Sequence, residues 1–175
     1  FCDWFLEFAK PVFQGKDEVA KAETRNTAAW ALDQILIFGH PIMPFVTEEL
    51  WHRIDDQRGN ALITREWPQY EGLSATEAEV EMDWVVDLVS AIRSVRSEMN
   101  VPPSARLTVS VKDADEKANA SLETHRALIE ANARLKCITV ADGAIDISGA
   151  VQTVFGSMTI VLPLAGVIDL DQERA

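Results

Sequence analysis

The chain has 175 residues, 47% of them hydrophobic and 25% charged, with a formal net charge of −12 at pH 7. That is apolar enough to exclude general disorder and long enough for one ordinary core or two small ones, while no apolar run approaches the ~20 residues a membrane span needs. The acidic balance excludes a reader of phosphates by bulk charge, since residues 1–100 hold 9 basic and 18 acidic side chains and residues 101–175 hold 7 and 10. Any RNA contact must therefore be local, made by a few placed arginines in a negative field. Cys2 and Cys137 are far apart and belong to no C-x-x-C pattern, as expected of two thiols in a reducing compartment. The opening Phe1–Phe8 carries no initiator Met, basic n-region or cleavage site. It reads as the interior of a helix in a longer protein rather than as a signal peptide.

Taken in order, residues 1–14 space Trp4, Phe5, Phe8 and Val12 by threes and fours, which predicts a helix with an aromatic face, and Pro11 marks its end or a kink. Asp17 is the expected N-cap of a long helix over 18–39, with Val19, Ala22, Ala29, Leu32, Ile35 and Leu36 turned inward and Gly39 as its stop. Pro41 and Pro44 then form an elbow. Pro44 suits the first turn of a third helix, which runs to about Ile54 with Glu48 and Glu49 near its positive end and Leu50, Trp51 and Ile54 as its buried stripe. Residues 55–77 read as an irregular connection anchored by Leu62, Ile63, Trp67 and Tyr70. A fourth helix over about 78–99 is marked by Met82, Val85, Val89, Ile92, Val95 and Met99, and Pro102 and Pro103 stop it.

At the double proline the period changes from 3.6 to 2. Residues 106–111 read as a strand, 115–132 as a helix, and 137–140, 151–155 and 158–162 as three further strands, with Gly156 and Ser157 as a two-residue, glycine-first hairpin turn. The expected fold class is α+β: an antiparallel helical bundle over 1–100, then a small mixed module of βαβββ order over 101–170, joined at Val101–Pro103 as separate cores. Residues 171–175 remain as a polar tail.

No catalytic set emerges. His40, His52 and His125 lie in separate elements; His40, before a proline at a helix end, fits a carbonyl-satisfying role, and Glu48 with Glu49 fits a helix start better than an acid–base dyad. There is no glycine-rich phosphate loop. The five tryptophans could stack on bases, but their helical spacing favours core positions. Arg96 falls on the edge of the fourth helix's apolar stripe, with Arg93 and Asn100 beside it. A guanidinium so placed aims at one particular partner: either a carboxylate elsewhere in the bundle or a phosphate or base edge of docked RNA.

Four segments carry a family resemblance. The elbow over Phe38–Trp51 resembles the His-Pro-x-Met-Pro-Phe-x-Thr-Glu-Glu-Leu-Trp signature of the class I synthetases for valine, isoleucine and leucine. Phe1–Pro11 is similar to the Phe-Cys-Asp-Trp-Tyr helix of the valyl-tRNA synthetase family, and Ile92–Pro103 to its Ile-Arg-x-x-Arg-x-Glu segment. Pro163–Ala175 resembles the Pro-Leu-Ala-Gly phrase that precedes that family's C-terminal coiled-coil arm, so residues 171–175 would begin the arm. The resemblance implies an anticodon-binding region without catalytic residues, metal or cofactor of its own; ATP and Mg would belong to the parent ligase's core, as the HIGH and KMSKS motifs and the editing domain are absent here. It implies a cytoplasmic, monomeric protein whose partners are valine-specific tRNA and the catalytic core of the same polypeptide, with Arg93, Arg96 and Asn100 at the tRNA. A structural brace, or the isoleucine or leucine enzyme's equivalent region, are the alternatives.

Overall fold

The computed structural model describes residues 1–141 and 149–164. The expectations for 165–175, including the start of an arm at 171–175, and the last part of the 101–170 module lie outside the described residues. Two compact units divide between Ser74 and Ala75.

The first unit holds α1 (Trp4–Gln14), α2 (Glu18–Gly39), α3 (Pro44–Ile54) and a single 3₁₀ turn at Leu62–Thr64. Pro11 sits inside α1 and does not end it: so near the C-terminus its missing N–H forfeits one helical bond, and the Gly15 N–H closes the helix on the Pro11 and Val12 carbonyls at 2.9 and 3.1 Å. Asp17 caps α2 as expected, accepting from the Val19 and Ala20 N–H groups at 3.0 Å each. Pro44 starts α3 at its first position.

The core of this unit is small: Leu36, Ile37, Trp51 and Leu62. Trp51 donates its indole N–H to the Asn60 carbonyl at 3.2 Å, and Arg58 lies over its ring at 3.8 Å while bonding both Asp33 oxygens at 2.8 and 3.1 Å. Several positions expected to face inward do not. Val19, Ala22, Ala29, Ile35, Leu50, Ile54 and Ile63 are exposed, as are Trp30 and Trp67, while Ile42 and Phe45 at the elbow reach 82% and 90% exposure. Periodicity marks an apolar stripe, but it does not say whether the same unit covers that stripe.

Glu48 and Glu49 lie past the first turn of α3, and Glu48 serves the 3₁₀ turn instead, accepting the Leu62 N–H at 2.8 Å and facing His52 at 3.1 Å. Among the described residues the His40 ring bonds no carbonyl; its Nδ1 meets the Thr47 hydroxyl at 2.9 Å, and Thr47 in turn donates to the Met43 carbonyl at 2.8 Å. A side-chain bridge thus locks the elbow between α2 and α3.

The second unit contains α4 (Thr76–Glu98), β1 (Leu107–Lys112), α5 (Glu116–Asn132), β2 (Leu135–Val140), β3 (Ala150–Phe155) and β4 (Met158–Pro163). The sheet order is β2-β1-β4-β3, with β1 and β2 parallel across the α5 crossover and the other two pairings antiparallel. This is the expected βαβββ order within an α+β fold. The hairpin turn is as read: Phe155 pairs Met158, and Gly156 has φ +59°.

The boundary at the double proline does not hold as a boundary between cores. Helix α4 packs against α5 and β3, and its row of Val85, Leu88, Val89 and Ile92 is buried within the same unit as Val109, Val111, Leu122, Ile129, Ile138, Ile160 and Leu162. The prolines mark where the period changes; the core continues across them. The helical unit is accordingly three helices, not four.

Two outcomes are expected from the first unit. Asp17→Ala should lower unfolding free energy by about 1 kcal/mol, the usual loss of an N-cap, read from urea denaturation. The Leu62 N–H, with lesser help from Ile63 and His52 and against desolvation, holds the Glu48 carboxyl below its ordinary range. A carboxyl with a depressed native pKa adds stability in full above its unfolded value, about 4.3, and loses it as pH falls through the native value. Glu48→Gln should therefore lower the urea midpoint at pH 7, and its gap to the parent chain should close as the buffer is taken below about pH 4.

Candidate nucleic-acid interface

Helix α4 ends in a Schellman motif. The Val101 N–H returns to the Arg96 carbonyl at 2.9 Å and the Asn100 N–H to Ser97 at 3.1 Å, with Asn100 left-handed at φ +48° and Val101 buried. Asn is one of the few side chains that takes this conformation readily, so helix termination accounts for Asn100 at this position. It stands exposed at the end of α4.

Arg96 lies one turn earlier and is only 6% exposed. Its guanidinium donates to the carbonyls of Ala105 at 2.8 Å and of Pro102 and Arg134 at 3.4 Å each. Of the two partners expected for it, a carboxylate or RNA, the described residues offer no carboxylate; backbone oxygens hold it. Burial, and then the neighbouring Arg134 cation, push its pKa below the ordinary guanidinium range. Arg93 is exposed, and its Nε–H donates to the Asn132 carbonyl at 2.9 Å, tying the last turns of α4 to the end of α5.

Two arginines that sequence spacing did not single out complete the group. Arg134 follows the end of α5 with φ +55° and donates to the Pro103 carbonyl at 3.2 Å; Arg106 precedes β1 and donates to the Leu135 carbonyl at 3.4 Å. Both are exposed. The loop after α4 and the turn between α5 and β2 are thus sewn together by Arg93, Arg96, Arg106 and Arg134 through carbonyl acceptors. For Arg96, Arg106 and Arg134 these carbonyls satisfy the hydrogen bond without cancelling the charge. One sequence clue to Arg134 was available: it occupies the position after a helix where glycine is the common residue.

A cleft of about 790 Å3 opens between the first halves of α4 and α5 and the β3–β4 turn, with Val80, Trp84, Ser121, Phe155 and Met158 along it. Two of its ionisable groups are engaged: Glu81 pairs His125 at 2.8 Å, and Asp115 caps α5 through the Ala118 N–H at 2.7 Å; Glu77 and Lys117 also line it. No nucleophile–base pair is arranged there. Among the described residues no group of three His, Cys, Asp or Glu side chains could hold a metal ion, and no helix is long and apolar enough to cross a membrane.

Comparison with known proteins bears on this geometry. Residues 1–111 match the model of the anticodon-binding domain of tRNA ligases, and the chain belongs to that family. Its similarity extends past the domain to valine–tRNA ligases. It is 46% identical over 180 residues to the valine–tRNA ligase of Caulobacter vibrioides, 44% over 177 residues to that of Rhizorhabdus wittichii and 44% over 178 residues to that of Brucella suis, each covering 100% of this chain. The chain spans only 19–20% of the length of these relatives.

Arg96→Met keeps an apolar stem but removes every donor, leaving the carbonyls of Ala105, Pro102 and Arg134 short of a partner. A loss of about 1–3 kcal/mol in unfolding free energy is expected, measured by urea denaturation.

Proposed function

We propose that this chain is the anticodon-arm-reading portion of a valine–tRNA ligase and is itself non-catalytic. One observation carries the reading: identity of 42–46% to valine–tRNA ligases runs the whole length of the chain, through the sheet unit beyond residue 111 where the domain family's match ends. The parent would join valine to its tRNA in the cytoplasm, as a monomer. ATP and Mg would be bound by portions of the polypeptide outside these residues.

Unpaired loop bases are the usual targets of sequence-specific RNA recognition, and an anticodon loop presents such bases. In this reading Arg93 and Asn100 lie toward the RNA at the exposed end of α4. Arg96 acts from beneath, setting the loop that carries its neighbours. A bracing role is favoured alongside by a separate observation, the uncovered apolar side chains of residues 1–74, Ile42 and Phe45 foremost. Apolar surface of that extent marks an interaction face. We assign it to the catalytic core of the same polypeptide.

The purified chain should bind a valine tRNA transcript more tightly than a transcript whose anticodon loop bases are replaced, in filter binding at fixed low salt. It should show no valine-dependent exchange of pyrophosphate into ATP. Equal affinity for the two transcripts, or exchange above blank in a preparation free of host enzyme, would count against the proposal.

A further inference from the structure

The second unit concentrates positive charge in one place, against the balance of the whole chain. Arg96, Arg106 and Arg134 have only carbonyl partners among the described residues: Ala105, Pro102 and Arg134 for the first, Leu135 for the second and Pro103 for the third. Elsewhere arginines are paired with acids, as Arg53 is with Glu49 at 2.7 Å and Arg126 with Glu123, or lie over aromatic rings, as Arg25 does over Phe13 and Arg65 over Trp51. In a chain with 28 acidic and 16 basic side chains, one guanidinium at the end of α4 and two on the adjoining loops are thus gathered on carbonyl partners alone among the described residues.

The backbone points the same way. Arg134 adopts φ +55°, which glycine would hold without strain, so an arginine side chain has been kept at a conformational cost. Its cation also lies close enough to the buried Arg96 to disfavour that group's charge. Like charges held together by rigid carbonyl scaffolds are pre-organised for an anion that bridges them. The planar guanidinium fork matches phosphate oxygens, and both Arg106 and Arg134 are exposed with N–H groups to spare.

We propose that Arg106 and Arg134, positioned by Arg96, form a phosphate-binding site that takes the phosphodiester backbone of RNA. The site lies within the second unit, where the loop after α4 meets the α5–β2 turn. It rests on the reading of the chain as a tRNA-binding portion and adds to it a backbone contact that positions the RNA without reading its sequence.

The test uses the whole 175-residue chain and a fluorescently labelled 17-nucleotide anticodon stem-loop of a valine tRNA, titrated at several salt concentrations. The variants are Arg134→Gly, which relieves the left-handed strain and so should melt within about 2 °C of the parent, and Arg106→Ala. Each is expected to weaken binding several-fold and to lower the slope of log Kd against log salt by about one, the share of one phosphate contact. A stem-loop with altered loop bases should lose the same factor, because the contact is to the backbone. Arg53→Ala, removing a carboxylate-paired arginine, should change neither quantity.

Unchanged affinity and slope in both variants, with the parent chain still binding, overturns the phosphate site and leaves the tRNA reading standing. No binding by the parent chain at low salt overturns both. If Arg106→Ala fails to fold, Arg134→Gly alone decides.

Discussion

A buried cation governs how the second unit is put together. Arg96 is removed from water at the end of α4, and a guanidinium there must have its N–H groups met. The chain meets them with backbone oxygens from the loop over 102–105 and from Arg134 at the end of α5. That requirement fixes where the loop turns and therefore where β1 begins, and it holds the α5–β2 turn beside it. Because β1 and β2 are parallel neighbours, joining the approach to one with the approach to the other also sets their register at Leu107 and Leu135. A helix that sequence reading assigns to the bundle is thereby the element that closes the sheet unit.

Much of this architecture was legible from side-chain period. The helices and strands fall where spacing by threes and fours, or by twos, puts them, and Asp17, Pro44 and Gly156 perform the cap, helix start and turn that their chemistry suggests. Which stripe meets which was not legible. Val85, Val89 and Ile92 have the same period whether they face a helical bundle or a sheet, so the double proline passed for a boundary between cores when it only ends α4. The exposed stripe of Ile35, Leu50 and Ile54 shows the same limit. Arg96 could be placed at the edge of a stripe, but its partners are carbonyls, and carbonyls leave no signature in a sequence. Arg106 and Arg134 belong to different elements and meet only through the fold.

The electrostatic consequence resolves an apparent conflict. A net charge of −12 repels a polyanion at long range, yet membership of the anticodon-binding family calls for contact with one. Screening shortens the repulsion to about 8 Å at physiological ionic strength, whereas guanidinium groups held on carbonyls act at contact distance. On the proposed reading, bulk acidity suppresses indiscriminate binding to nucleic acid, and a small local cluster restores attraction where geometry is right. Such an interface gains discrimination from its surroundings at the expense of raw affinity.

The central claim is that guanidinium groups scaffolded by backbone oxygens meet RNA phosphates. Nitrogen-15 NMR of the arginine Nε–H groups, followed as the anticodon stem-loop is added, observes this directly. The Arg106 and Arg134 resonances should shift and slow their exchange with water as they saturate together, while the buried Arg96 moves little and Arg53 stays in place. Saturable RNA binding that leaves Arg106 and Arg134 unshifted would contradict the account.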